Sequence, residues 1–373
     1  MRDDVVTRLR ATIAEHGLGA LVCLSPENVA YTAGFVIPSQ SLMRWRHAAT
    51  VIHADGRQAV VCVDMEETTV RAHIGEHDEV RVWKEFVDKP MAILARLLLD
   101  WGLGSAAVGT ELDYLSADDH AQLMEYAPDI RLVAAGPLLT EARQPKTPSE
   151  LVLLEQLSRI SDTAIKTAFE AVRAGSTEMD IAAALTRSVY EQGAQQFKLM
   201  IVATGERSQL PNVGPTMRTL IPGDICRVEI FSVIDGYQAG VCRTAVVGEA
   251  SAKASEIYAN LVECKHAVFD AIRPGASSRS VYDLYRGIFN RLGLPAISFV
   301  AHSIGVNLHE APYFGPYSDH VIREGMVLGM EPLVYRSGHG FGMQIKDMIA
   351  VESDGARLLS DVTDTDTLFQ IAA

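Results

Sequence analysis

The sequence predicts an α/β (α+β) protein in two domains, an N-terminal α/β unit over residues 1–145 and a pseudo-twofold unit over residues 146–373. Three observations carry this expectation. Strand-like and helical runs alternate from the start, a strong helix-start signal stands at Thr147, and the second part states one pattern twice, from Ala171 and again from Ala271. A chain of 373 residues also exceeds the size at which one core usually stops growing.

In the first domain "LGALVCLS" and "AATVIHADGRQAVVCVD" read as strands, the second as a pair joined by a tight turn at Asp55-Gly56, where Gly supplies the positive φ that the turn needs. "KPMAILARLLLDWG", from Lys89 to Gly102, has the apolar spacing of an amphipathic helix closed by glycine. The polar stretch "RQPKTPSELVLLEQL" then opens a new helix. Thr147 is its expected N-cap, Pro148 takes the first helical position, and Glu150 completes a capping box.

The second domain contains an internal duplication. "AVRAGSTEMDIAAAL" and "AIRPGASSRSVYDLY" each show a helix end, a Gly stop, a Ser/Thr cap and a new helix. Each new helix closes near a glycine, Gly193 or Gly293, and leads into a strand-like run, "FKLMIVATG" or "AISFVAHSIG". Glu229 then follows Gly223 by six residues, as Glu331 follows Gly325. Two halves related by an approximate twofold would set these carboxylates opposite one another across a shared sheet. A repeat stated only twice implies such a domain and not a solenoid.

Composition narrows the function classes. A net charge of −14 argues against nucleic acid, whose phosphates call for a basic face. The N-terminus "MRDDVVTRLRATIAEHG" is charged and amphipathic without the apolar core of a signal peptide, and no apolar run approaches a membrane span. Cys23, Cys62, Cys226, Cys242 and Cys264 are odd in number and lack CxxC spacing, which suits reduced thiols and a cytoplasmic location.

Chemistry concentrates in "AHSIGVNLHEAP", where His302 and His309 stand seven residues apart with Glu310 beside the second. Imidazoles and carboxylates so close suggest a metal site. This segment, with "SPENVAYTAGF", "KTPSELVLLEQLSRISDTAI", "PGDICRVEIFSVIDGYQAGVCRT", "GMVLGMEPLVY" and "GFGMQIKDMIAV", resembles the creatinase/prolidase/methionine aminopeptidase group, in order and at matching intervals over nearly the whole chain. The resemblance implies a creatinase/prolidase N-terminal domain followed by a pita-bread catalytic domain. The motifs are specific for the fold and much less so for the activity.

The departures from the group's pattern set the functional expectation. Metallopeptidases of the group hold two divalent ions on two Asp, one His and two Glu. Those positions fall here on Glu229, Gly240, His302, Glu331 and Lys346. One carboxylate is lengthened, one is deleted and one has become a cation, and the group's usual His after "TG" is Asn212. A two-ion site needs bridging carboxylates, so no metal and no cofactor are expected. Lys346 is expected to be buried, given its apolar strand neighbours, and to hold Glu229 and Glu331 ionised in place of a metal.

Creatinase, the metal-free member, hydrolyses a non-peptide C–N bond, and the chain resembles it in losing metal ligands. Its catalytic His falls at Asn212 and one of its guanidinium-binding Glu at Cys242, so creatine itself is not expected. The resemblance therefore implies a metal-independent hydrolase of a non-peptide C–N bond in a small substrate. His302 or His309 would be the acid/base, Glu229 or Glu331 would activate water or attack carbon, and Lys346 would stabilise negative charge. Asn212, Cys242 and Tyr313 are the expected substrate-binding residues, and Cys242 could be activated by a His. Arg46, in "SLMRWRHAAT", would hold a substrate carboxylate across a homodimer, completing each partner's pocket. Two other readings stand beside this one: a metallopeptidase with a single ion on Glu229, His302 and Glu331, and a catalytically silent binding module.

Overall fold

The computed structural model of the chain describes residues 1–373, which divide into the units Met1–Arg143 and Gln144–Ala373. In the first unit a six-stranded mixed sheet runs in the order Glu79–Trp83, Gln58–Val63, Ala49–His53, Ala20–Cys23, Ala107–Thr110, Arg131–Ala134. The hairpin Ala49–His53/Gln58–Val63 is antiparallel, and Gly56 turns it at φ 103°. The outer strand pairs are parallel. Helix Pro90–Asp100 buries Leu94, Leu97 and Leu98 in one cluster with Val22, Val51 and Val61 of the sheet. Each such leucine contributes about 1.5–3 kcal/mol by leaving water.

The second unit opens with helix Pro148–Ala171, whose capping box is formed: Glu150 N donates to Thr147 Oγ1 at 3.3 Å, and Thr147 N donates to Glu150 Oε2 at 2.7 Å. Helix Glu178–Glu191 follows, capped by Thr177. A sheet ordered Phe369–Ile371, Tyr237–Val247, Ile225–Ile234, Gln196–Thr204 lies in the first half. Helices Ala252–Ala271 and Ser278–Arg291 belong to the second half, with a sheet ordered Glu310–Phe314, Ala301–Ser303, Val327–Met330, Asp347–Glu352, Gly355–Leu358. Leu261, Tyr285 and Phe289 of these helices share a core with Leu328 and Ile349 of this sheet. No helix of the chain is long and apolar enough to cross a membrane.

The duplication is visible bond by bond. Gly175 N donates to Leu220 O at 2.9 Å, Leu220 N to Ser176 O at 2.8 Å, and Glu178 N to Arg218 O at 3.0 Å. In the second half Gly275 N donates to Ile322 O at 2.9 Å, Ile322 N to Ala276 O at 2.8 Å, and Ser278 N to His320 O at 2.9 Å. Fold class, with these two repeated halves, is as the sequence indicates. One element is shorter than expected: of "AISFVAHSIG" only Ala301–Ser303 is strand. Tyr285 Oη accepts from Ile297 N at 3.0 Å and Tyr282 Oη donates to Ile297 O at 3.1 Å, so helix tyrosines satisfy that backbone in place of a neighbouring strand.

The two sheets of the second unit meet where Cys242 and Lys346 exchange backbone hydrogen bonds of 3.2 and 3.1 Å. Arg243 fixes this junction. Its guanidinium is buried, lies 2.9 Å from both Asp162 Oδ1 and Asp347 Oδ1, and donates to the carbonyls of Cys242, Lys346 and Ser360. A buried cation needs this saturation to be tolerated, and it sets the backbone that presents Lys346.

Candidate active site

Five of the expected residues converge in the second unit. Glu229 lies mid-strand in Ile225–Ile234, His302 in Ala301–Ser303, and Glu331 directly after Val327–Met330, its N–H held by Val300 O at 2.8 Å. Lys346 stands between Met343–Gln344 and Asp347–Glu352. Gly329 pairs with His302 in register, and a Cβ there would sit 3.1 Å from Lys346 Cε and 3.3 Å from His302 Nε2. The missing side chain lets lysine and histidine approach.

Lys346 is 1% exposed. Its Nζ lies 3.1 Å from Glu229 Oε1, 3.4 Å from Glu331 Oε2 and 3.2 Å from His302 Nε2, with the Phe231 ring centroid at 4.6 Å. Burial alone would lower its pKa, but the two carboxylates outweigh burial and raise it, so the amine is charged. Burial pushes the Glu331 carboxyl up, while Lys346 and His302 pull it down more strongly, to well below the usual range.

His302 is fully buried, and its Nδ1 lies 2.8 Å from Ser303 O. A carbonyl only accepts, so Nδ1 carries a proton, while Nε2 lies 3.1 Å from Glu331 Oε1 and 3.2 Å from Lys346 Nζ. Glu331 Oε1 is buried and accepts no hydrogen bond. His309 stacks on His302 with centroids 3.6 Å apart and planes 13° off parallel. Burial, then His302 and Lys346, lower the His309 pKa to about 3, which keeps it neutral. Tyr313, 41% exposed, lies beyond His309 with ring centroids 6.3 Å apart.

Three neighbours were not singled out from the sequence. Gln344 Nε2 donates to Glu331 Oε2 at 3.0 Å and to Glu229 Oε2 at 3.4 Å. Its Oε1 accepts from Arg227 Nη1 at 3.0 Å, which fixes the amide with its NH₂ toward the carboxylates. Buried Arg227 also donates to the carbonyls of Ser208, Leu210 and Pro211 and stacks on Tyr335 at 5.3 Å. Phe231 faces Gly240 across the hairpin. The only sequence signals were two polar side chains at buried-strand positions, "CRVE" and "GMQIK".

The remaining expected residues need correction. Cys242 is fully buried, with its thiol pKa pushed far up by burial and by Glu229, so it is neither a nucleophile nor a substrate contact. Asn212 is exposed in the turn after Pro211 and joins none of the residues around Lys346. Arg46, in the first unit, already places its guanidinium on Glu85, with hydrogen bonds of 2.8 and 3.0 Å.

The donor set fits one divalent ion and not two. His302, His309 and Glu331 offer ligand atoms within 4.8 Å of one another, with His302 Nε2 and Glu331 Oε1 3.1 Å apart. A second ion finds Phe231 above Gly240 and the Lys346 ammonium beside Glu229. The expected trio of Glu229, His302 and Glu331 is thereby corrected, since Glu229 Oε1 serves the ammonium and His309 supplies the third donor.

Comparison with known proteins bears on the chemistry. The model of metallopeptidase family M24 matches residues 153–353, and the creatinase/prolidase N-terminal domain matches residues 6–144. An Xaa-Pro dipeptidase of Lactobacillus helveticus is 32% identical over 225 residues, covering 59% of this chain and 61% of that one. The crystal structure of dipeptidase PepE from Mycobacterium ulcerans superposes with TM-score 0.83 at 25% identity, covering 99% of this chain and 98% of that chain. An Xaa-Pro dipeptidase from Bacillus anthracis superposes with TM-score 0.84 at 24% identity, over 98% and 99%. These relatives are dipeptidases in a metallopeptidase family. They overturn the expectation of a creatinase-type, metal-independent hydrolase of a non-peptide C–N bond, and with it the expected absence of a metal.

Proposed function

We propose that this chain, which belongs to metallopeptidase family M24, is a dipeptidase working with one divalent ion. The observation that carries this reading is the cluster of three donors, His302, His309 and Glu331, with ligand atoms within 4.8 Å of one another and Glu331 Oε1 buried. An ion held by these residues would polarise a peptide carbonyl and acidify water.

The chain's own groups supply the rest. Ser303 O fixes the His302 tautomer, and the stack with His309 fixes its plane. Glu229 Oε2 has only the 3.4 Å contact with Gln344, so it keeps a lone pair to take a proton from water. The buried charge of Lys346 lowers the energy of negative charge developing on the carbonyl oxygen. Near-complete burial of these groups suits a small substrate entering past His309 and Tyr313.

For assembly, exposed Leu42, Trp45, Phe86 and Val87 flank the Arg46–Glu85 pair, an apolar patch that supports a homodimer. Phe86→Asp should then halve the mass measured by light scattering. The activity is tested by incubating the protein with a panel of dipeptides and Mn²⁺, Co²⁺ or Zn²⁺ and detecting free amino acids by mass spectrometry. Hydrolysis that chelator abolishes and metal restores is expected; cleavage unaffected by chelator would refute the reading.

A further inference from the structure

One buried ion pair takes no part in the chemistry above. Lys146 Nζ lies 3.2 Å from Glu310 Oε2, and the two side chains are 1% and 2% exposed. Two charges taken this completely out of water gain little stability over an apolar pair of similar size, so their place in the fold is the better guide to their role. Lys146 precedes the Thr147 cap, and its backbone N–H donates to Gly325 O at 2.7 Å, just ahead of the strand Val327–Met330 that delivers Glu331. Glu310 follows His309 directly and opens the strand Glu310–Phe314. The pair thus ties the segment before one donor to the residue after another.

Between Ser303 and Glu310 the chain has no regular structure, and this loop carries His309. Its first part is held through the backbone: Ile304 N donates to Val327 O at 3.2 Å, Gln238 N to Gly305 O at 2.8 Å and Gln238 Nε2 to Val306 O at 2.9 Å. Further on, Glu310 Oε1 accepts from Asn307 N at 3.1 Å and from Asn307 Nδ2 at 3.3 Å, while Lys146 holds the other carboxylate oxygen. Gly305 leaves room for this, since a Cβ there would sit 3.0 Å from Lys146 Nζ and 3.2 Å from Glu310 Oε2. His302 is oriented by Ser303 O, but nothing in the chain hydrogen-bonds to the His309 ring, which rests on the His302 face at 3.6 Å and against Phe299 at 5.9 Å. Stacked rings tolerate offsets, so the backbone on either side must decide where the His309 nitrogens lie.

Given the one-ion dipeptidase reading, on which this inference rests, we propose that the Lys146–Glu310 pair positions His309 as a donor. The ammonium fixes the Glu310 carboxylate, the carboxylate clamps Asn307, and the clamped loop seats the imidazole on His302. Lys146 and Glu310 are positioning residues and stand outside the donor set. Groups that orient a metal ligand typically carry about 10- to 100-fold in metal affinity.

The test replaces the pair by two apolar side chains in Lys146→Met/Glu310→Met, which leaves no buried charge unpaired. Calorimetry should show Co²⁺ binding weakened about 10- to 100-fold relative to wild type. Lys146→Met/Glu310→Gln keeps an amide oxygen for Asn307 N and should recover part of that loss. Wild-type affinity in the first variant, or equal loss in both, overturns the assignment. Histidine NMR of the metal-free protein gives a second readout, because each stacked imidazole lies in the other's ring current. The Cε1–H resonances of His302 and His309 should move toward those of exposed histidines in Lys146→Met/Glu310→Met, and unmoved resonances overturn the assignment. Should wild type bind no Co²⁺, the one-ion reading fails, and the NMR result alone judges whether the pair seats His309. Should Lys146→Met/Glu310→Met not fold, Gly305→Ala carries both measurements, since its methyl presses on Lys146 Nζ and Glu310 Oε2. Weaker Co²⁺ binding with moved resonances then supports the assignment, and wild-type values overturn it.

Discussion

Phe231 and Gly240 face each other in register across the central hairpin, and a Cβ added at Gly240 would lie 2.1 Å from Phe231 Cε1. The same ring covers the Lys346 ammonium at 4.6 Å, a cation–π contact whose worth rises when desolvated. The aromatic side chain therefore occupies the volume that a carboxylate at position 240 would need.

Gly240→Asp should consequently fail to create a second ion site. It should destabilise the protein by about 1–3 kcal/mol through overpacking, measured by urea unfolding, and Phe231→Ala in the same chain should recover part of that loss. Metal analysis giving about two Mn²⁺ per chain for Gly240→Asp would contradict this account.

Removal of single donors should separate ion binding from turnover. Wild type should bind about one Mn²⁺ or Co²⁺ per chain by calorimetry, and His302→Ala or Glu331→Gln should abolish binding. Glu229→Gln should retain the ion yet lose on the order of 10²–10⁴ in kcat, the range of a general base. Loss of the ion in Glu229→Gln would move Glu229 into the donor set.

Lys346→Met should be severe. It leaves Glu229 and Glu331 buried together without their cation, a change that costs about 3–5 kcal/mol when one partner of a buried pair is removed. A thermal midpoint within a degree or two of wild type would show that the two acids pair with something else.

Much of this site could be read from the chain alone. The duplicated Gly-to-Glu spacing located Glu229 and Glu331, and the apolar neighbours of Lys346 foretold its burial. What escaped was the cross-strand partner. Phe231 and Gln344 look like ordinary strand residues until the fold sets Gly240 opposite one and Arg227 beside the other. Counting lost ligands also gave no sign that His309 would fold back onto His302. Arg46 is expected from the sequence to hold a substrate carboxylate, and its partner within the chain, Glu85, lies 39 residues away.

Gln344→Met keeps the volume and removes both amide roles. It should lower kcat about tenfold and stability by about 1–3 kcal/mol, the cost of buried polar groups left unpaired. Arg227→Met should also loosen the loop it holds at Ser208, Leu210 and Pro211, seen as faster hydrogen exchange in the peptide spanning 205–214. Unchanged exchange there would mean that other contacts hold the loop.

His309 makes the metal-free protein acid-sensitive. Its pKa falls from 6.5 to about 3, through burial and then His302 and Lys346. A depressed histidine contributes stability that is present above the unfolded value and is lost as pH falls toward the folded one. Between pH 7 and 5, where carboxylates barely titrate, the urea midpoint should drop, and His309→Phe should flatten that slope. A slope equal to wild type in His309→Phe would assign the effect elsewhere.

Lys346 Nζ is enclosed by Glu229, Glu331 and His302, all within 3.4 Å, with an aromatic face on another side. That enclosure is complete before any guest arrives. Lys346 therefore acts on a guest as a field and not as a handle: it attracts electron density from a distance, without dictating the angle at which an oxygen must approach. Directional grip must come from elsewhere, and the carboxylates beside Lys346 feel the same field whether the site is full or empty.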